Sequence, residues 1–144
     1  MKGGAKCDCF IGIDLGTSGC RAVAIDMAGT TLAQAQAELP PTRHREGGVS
    51  EQEPELWWQA VRNVLSGLIP ELGRNPIAGL AVDGTSSTLL AATREGVPLG
   101  PALMYDDNRA QGFVARIKAQ APPGNIVASA GSSLAKSLYL ASRL

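Results

Sequence analysis

The chain has 144 residues, 44% hydrophobic and 18% charged, a length and balance that suit a globular domain with its own core. Thirteen basic and thirteen acidic residues cancel, and the lysines and arginines are dispersed among few aromatics, so neither nucleic acid nor a membrane surface is expected as a charge-driven partner. Gly, Asp or Pro interrupts every long apolar stretch, and the first six residues lack the apolar core of a signal peptide, so a cytoplasmic protein is expected.

Near the start of the chain stands Cys7-Asp8-Cys9. Together with Cys20 this makes an odd, early cluster of cysteines, which suits a reducing compartment better than a disulfide framework. No second Cys/His pair completes a tetrahedral metal site, so the pair reads as small residues at a strand entry. Cys9 to Leu15 alternates as a strand should, Gly16-Thr17-Ser18-Gly19 turns the chain, and Arg21 to Asp26 returns. After Ala28-Gly29-Thr30, a third strand of weaker propensity runs from Thr31 to Leu39, giving an antiparallel meander that ends at Pro40-Pro41. Residues 42–50 read as a polar loop, and their single histidine, His44, as an exposed residue.

Pro54 sits where a first helical residue is favoured, with Ser50 or Glu53 as candidate caps. The spacing of Leu56, Ala60, Val61, Val64, Leu65, Leu68 and Ile69 predicts an amphipathic helix to about Ile69, ended by Pro70 and Gly73. Ile77 to Val82 predicts a strand buried on both faces, and Ser87 to Thr93 another strand before the turn Arg94-Glu95-Gly96. Pro101 to Tyr105 is extended. Asp107 can cap a helix with Ala110, Val114 and Ile117 inward, which Pro122-Pro123-Gly124 breaks. Ser132 or Ser133 can cap a last helix with Leu134, Leu138 and Ala141 on one side. One echo runs through the chain: Asp14-Leu15-Gly16-Thr17-Ser18 and Asp83-Gly84-Thr85-Ser86 each put an aspartate at a strand end before a small-residue turn.

The first of these turns has the parts of a phosphate site. Glycines let backbone N–H groups approach phosphate oxygens, Thr17 and Ser18 add hydroxyls, and Arg21 adds positive charge. Asp14 can hold a hydrated Mg²⁺, which takes few carboxylates and keeps several waters. Phosphoryl transfer needs mainly such positioning and charge neutralisation. On these residues alone, an ordinary hairpin with a structural turn explains the pattern equally well.

Three markers in order carry a resemblance. Ile11-Gly12-Ile13-Asp14-Leu15-Gly16-Thr17-Ser18 resembles the first phosphate motif of the actin/hexokinase/Hsp70 superfamily. Ser50-Glu51-Gln52-Glu53-Pro54-Glu55-Leu56-Trp57-Trp58 resembles the start of the first helix in FGGY carbohydrate kinases. Val82-Asp83-Gly84-Thr85-Ser86, followed by Met104-Tyr105-Asp106-Asp107-Asn108-Arg109, is similar to that family in order and spacing. Within the family the Asp83 turn and Ala130-Gly131-Ser132-Ser133-Leu134-Ala135-Lys136 resemble the D-ribulose kinase group, beside the xylulose-kinase-like members.

The resemblance implies an α/β, ribonuclease-H-like fold: a three-strand antiparallel meander extended by parallel strands, with helices on both faces. It implies ATP and Mg²⁺ as cofactors, with Asp14 near the metal, Gly16, Thr17 and Ser18 facing phosphates, and Arg21 approaching the γ-phosphate. It also implies an acceptor pocket lined by Asp83, Gly84, Thr85 and Ser86, with Tyr105, Asp106 and Asp107 as further contributors. Asp106 and Asp107 read equally as helix caps, Arg109 as a solvated residue. One of Trp57 and Trp58 packs inward, and the other packs as well or covers apolar C–H groups of a sugar. Xylulose kinases carry Met-His-Gly at the acceptor turn and glycerol kinases Arg-Glu; this chain carries neither, so D-ribulose is the favoured acceptor. The implied organisation is a tail over residues 1–9 and an incomplete sugar- and phosphate-binding domain over 10–144. The ATP-binding domain and catalytic base are expected beyond Leu144, so the chain alone is expected to be inactive. Asp83, at a strand end, is the alternative base. Other readings are a xylulokinase-like or other polyol kinase, an actin- or chaperone-like ATPase, and a non-catalytic sugar-binding module; a homodimer is compatible with all of them.

Overall fold

The computed structural model describes residues 7–144. Of the tail expected over residues 1–9, residues 1–6 lie outside the described ones, and Cys9 already opens the first strand. The chain divides into two compact units, Met1–Pro41 with Glu55–Gly84, and Thr42–Pro54 with Thr85–Leu144.

The first unit is built on the expected meander: β1 (Cys9–Leu15), β2 (Gly19–Asp26) and β3 (Thr31–Glu38), each antiparallel to the one before. Helix α1 (Pro54–Glu71) leads to β6 (Ile77–Gly84), which lies parallel to β1 and makes the sheet order β3-β2-β1-β6. Cys9, Ile11 and Ile13 of β1, Cys20, Ala22 and Ala24 of β2, and Ala60, Val64 and Leu68 of α1 form one buried cluster. The alternation in the strands and the helical spacing in α1 put these side chains on facing surfaces. Close approach is possible because the contact is lined by small residues: a Cβ on Gly67 would stand 3.8 Å from the Ala35 Cβ.

Two expectations in this unit are corrected. Pro70 does not end α1 but sits in its last turn; Gly73, at φ +60, ends it instead. The strand at 77–84 is not buried on both faces. Ile77, Leu80 and Val82 are 46%, 52% and 63% exposed, because α1 packs over the meander and β6, among the described residues, pairs with β1 alone.

The second unit holds a small antiparallel sheet of order β4-β5-β7, from β4 (Arg43–Arg45), β5 (Val49–Gln52) and β7 (Ala102–Leu103). The loop expected over 42–50 is therefore a hairpin, turned at Gly47 and Gly48 with φ +80 and +78. Ser50 lies in β5 and caps no helix. The strand expected from Ser87 to Thr93 is absent: two isolated bridges, Leu89 to Leu103 and Ala92 to Pro98, replace it, and Ser87 has φ +59. The turn at Arg94-Glu95-Gly96 forms, closed by Gly96 N–H to Thr93 O at 3.0 Å.

A 3-10 helix (Arg109–Phe113) runs into α2 (Val114–Lys118), with Ala110, Val114 and Ile117 buried as the spacing predicts. Helix α3 (Ser133–Ala141) is capped by Ser132, whose Oγ accepts from the Ala135 N–H. Its inner face is not the expected one. Leu134 is 46% exposed, and Ala135 and Lys136 are the buried residues, with Leu138 and Tyr139 packed beside them.

Candidate functional site

In the first unit the turn between β1 and β2 is closed by the Gly16 N–H donating to Gly19 O at 2.9 Å, and the Leu39 N–H donates to Ser18 O at 2.9 Å. Gly19 has a steric reason: a Cβ there would meet Ala37 O at 2.8 Å. Strand register then gathers charge beside this turn. Asp14 is paired with Arg21 on one side and Asp83 on the other, and Arg21 in turn with Gln36. Paired residues of adjacent strands share a face, so Gln36, Arg21, Asp14 and Asp83 form a row across all four strands. That face is opposite to the one on which Ile11 and Ile13 pack, and all four residues are exposed. The two aspartates of the sequence echo are thus lateral neighbours.

A cleft of about 380 Å³ adjoins the row, lined by Asp14, Gly16, Ser18, Arg21, Gln36 and Glu38 among others. Burial first, and then the charge of Asp14, pushes the Cys20 thiol above its ordinary value. Thr17, between Gly16 and Ser18, is half-buried. Among the described residues no group of three or more His, Cys, Asp or Glu side chains is arranged to hold a metal ion. Two neighbouring carboxylates that face solvent still fit a Mg²⁺ whose other ligands are waters and phosphate oxygens. Cys9 is fully buried, its Sγ–H donating to Pro76 O at 3.2 Å, as suits a packing residue.

The expected acceptor turn lies where the chain passes from one unit to the other. Asp83 and Gly84 end β6, with the Gly84 N–H donating to Asp83 Oδ1 at 2.8 Å, while Thr85 and Ser86 open the second unit. Thr85 Oγ1 donates to Thr88 Oγ1 at 2.7 Å. Within the second unit, Ser86, Ser87, Tyr105, Gly131, Ser132 and Ser133 are among the residues lining a cleft of about 420 Å³. Tyr105 is 54% exposed.

The pair Asp106-Asp107 divides into two environments. Asp107 is fully buried and accepts from the Ser50 N–H (2.9 Å), the Arg109 N–H (3.1 Å) and the Arg109 guanidinium (2.8 Å at Nη2). Arg109 also reaches Glu51 at 2.8 Å and lies over the Tyr139 ring, 5.5 Å from its centroid. It is therefore not a solvated residue. Burial opposes its charge, yet the hydrogen bonds and charge of Asp107, and then Glu51, hold its pKa above the ordinary value. Asp106 is half-exposed: Oδ1 accepts from Ser50 Oγ at 2.6 Å and Oδ2 lies 4.0 Å from His44 Nδ1. His44 itself is 62% exposed, as expected. Trp57 packs against the first unit's core, and Trp58 is 57% exposed.

Residue-by-residue reading missed three features. They are the left-handed Ser87, the buried Lys136, and the close packing of Gly131 on the Tyr105 carbonyl, where a Cβ would stand 2.9 Å from the oxygen. The one signal in the sequence was a lone lysine within the last helix, Ser133–Ala141, whose other residues are uncharged.

The meander extended by a parallel strand and covered by α1 makes this an α/β fold. The chain belongs to the FGGY family of carbohydrate kinases: the model of that family's N-terminal domain matches residues 9–142. It is 30% identical over 108 residues to a xylulose kinase of Staphylococcus xylosus, covering 75% of this chain and 22% of that protein. It is 31% identical over 113 residues to an apulose kinase of Pectobacterium atrosepticum, covering 78% of this chain and 23% of that protein. The crystal structure of a xylulose kinase from Brucella ovis superposes with a TM-score of 0.78 at 29% identity, over 93% of this chain and 29% of the other. The chain thus spans less than a third of the length of each of these three relatives.

Proposed function

We propose that this chain supplies the acceptor- and phosphate-binding part of an ATP-dependent kinase that transfers the γ-phosphoryl group to a ketose hydroxyl, with D-ribulose the preferred acceptor. The observation that carries this reading is the row of Arg21, Asp14 and Asp83 on an open sheet face beside the Gly16–Gly19 turn. In this reading the backbone N–H groups and hydroxyls of Thr17 and Ser18 donate to phosphate oxygens, Gly16, whose N–H closes the turn on Gly19 O, faces the phosphates without a Cβ, and Arg21 neutralises charge that builds up at the γ-phosphate. Asp14 holds water around Mg²⁺, which when bound screens the phosphate charge. The acceptor contacts in this reading are Asp83 and Gly84 at the end of β6, and, in the second unit, Thr85, Ser86, Tyr105 and the half-exposed Asp106; carboxylates, hydroxyls and an aromatic face are the groups a polyhydroxy ketose requires. Asp83 accepts a hydrogen bond from a ketose hydroxyl in this reading; the catalytic base is assigned to no residue of the chain.

A second reading, transfer to D-xylulose, is favoured by the kind of relatives matched, while the Asp83-Gly84-Thr85-Ser86 turn favours D-ribulose. The test is coupled ADP release by the complete gene product with ATP, Mg²⁺ and a panel of D-ribulose, L-ribulose, D-xylulose, glycerol and sedoheptulose. D-ribulose is expected to give the highest kcat/KM, and Asp14→Ala to lower it by about 100-fold or more without lowering the melting temperature, since Asp14 is exposed. Highest turnover with D-xylulose selects the second reading, and ATP turnover indifferent to every sugar overturns both.

A further inference from the structure

Lys136 is the largest fully buried side chain among the described residues, and nothing in the phosphate or acceptor chemistry above uses it. Its ammonium donates to three backbone carbonyls: Ser87 O at 2.7 Å, Met104 O at 2.6 Å and Tyr105 O at 3.1 Å. These partners lie 49, 32 and 31 residues away in sequence. An ammonium has three protons and no acceptor, so three carbonyls saturate it, leaving nothing with which to touch a substrate. Its effect must pass through the backbone it holds.

That backbone is unusual. Ser87 is the one non-glycine residue at positive φ among the described residues, at +59. L-residues occupy this region at a cost, and they stay there when the surroundings over-determine them. Ser87 also directly follows the turn Asp83-Gly84-Thr85-Ser86. The second segment held by Lys136 is equally constrained, because Gly131 lies so close to Tyr105 O that a Cβ would stand 2.9 Å from it. Ser86, Ser87, Tyr105 and Gly131 line the 420 Å³ cleft of the second unit. Burial draws the Lys136 pKa down, and the nearby charges of Asp107 and Asp106 act against that, so the pinning ammonium is itself supported by the acidic pair.

We propose that Lys136 is the positioning residue of the acceptor site: it pins the left-handed backbone at Ser87 to the Met104–Tyr105 segment and so sets the shape of the cleft wall that receives the ketose. The inference rests on the kinase reading above for the identity of the ligand, and on the carbonyl cradle for the device.

The experiment compares the complete gene product with Lys136→Met, Ser87→Gly and the double variant. Lys136→Met is expected to raise the ketose KM by about tenfold or more and to leave the ATP KM within about twofold. Glycine adopts positive φ freely, so Ser87→Gly in the Lys136→Met background is expected to recover about threefold or more of the lost ketose KM. An unchanged ketose KM, a parallel rise in both KM values, or no recovery in the double variant would overturn the proposal. Should Lys136→Met not accumulate as folded protein, Lys136→Arg carries the same comparison: it keeps the charge but misplaces the donors, and a selective rise in ketose KM is again expected.

Hydrogen exchange read by mass spectrometry tests the device without activity. Faster exchange confined to 85–90 and 103–107 in the Lys136 variant supports it, and an unchanged pattern overturns it. A wild-type protein that phosphorylates no sugar of the panel sinks the kinase reading and with it the ligand, while the exchange pattern still decides whether Lys136 holds the turn.

Discussion

Asp26 shows how much a single half-buried side chain does at a turn. Its Oδ1 accepts from the Ala28 and Thr30 N–H groups, both at 2.8 Å. The Thr30 N–H chiefly, with Ala28 and Gly29 adding to it, holds the carboxyl below its ordinary value of 3.8. A carboxyl depressed by folding binds fewer protons in the native than in the unfolded chain, so its stabilisation is present above the ordinary value and is lost as pH falls through the native one. Asp26→Asn is therefore expected to flatten the decline of the urea midpoint below about pH 4, where the wild-type curve falls more steeply. Equal slopes in the two proteins would refute this. Asp106 and Asp107 make the complementary point. As neighbours in sequence they are interchangeable candidates for a cap or a sugar contact, yet one is half-exposed and the other takes up four donors in a dry setting. No pattern in the sequence separates them, because the difference lies in partners up to 57 residues away.

At the scale of elements, β5 owes its existence to such partners. Val-Ser-Glu-Gln carries no apolar alternation; pairing with β4 and β7, the Ser50–Asp107 bond and the Glu51–Arg109 bridge make it a strand with three buried polar residues. Asp107→Ala leaves the Ser50 N–H without its acceptor and the partly buried Arg109 with Glu51 alone, and is expected to destabilise the chain by about 1–3 kcal/mol. Urea unfolding monitored by circular dichroism measures it, and a loss below about 1 kcal/mol would show that the hairpin does not depend on this network. The meander and α1 were legible for the opposite reason: their periodicities of two and 3.6 are local, and the residues that satisfy them, such as Ile11, Ile13, Val64 and Leu68, are the ones that pack. The inner face of α3 was not legible, because it includes Lys136, which lies off the Leu134–Leu138–Ala141 spacing and is held inside by three distant carbonyls.

For the whole molecule the feature with most consequence is β6. An apolar run of strand length reads as a buried central strand, but here it pairs on one side only among the described residues and leaves Leu80 and Val82 about half exposed or more. An open edge with apolar side chains is a template for pairing with another chain. The 144-residue chain is accordingly expected to self-associate on warming, and Val82→Lys to reduce its light scattering at equal concentration without lowering the melting temperature. Scattering that does not change would place the sticky surface elsewhere. No helix among the described residues is long and apolar enough to cross a membrane.

The sequence by itself determined the three-strand meander, the long helix, the phosphate-like turn at Gly16–Gly19 and the family, since each is written in local spacing or in short ordered motifs. Only the tertiary structure decided that Asp14 and Asp83 are lateral neighbours, that Asp107 is buried where Asp106 is half-exposed, that β6 pairs on one side among the described residues, and that Lys136 ties Ser87 to Tyr105. The physical reason is common to all four. Strand register, burial and the satisfaction of buried polar atoms depend on groups brought together from distant parts of the chain, and local periodicity carries no information about which groups those are.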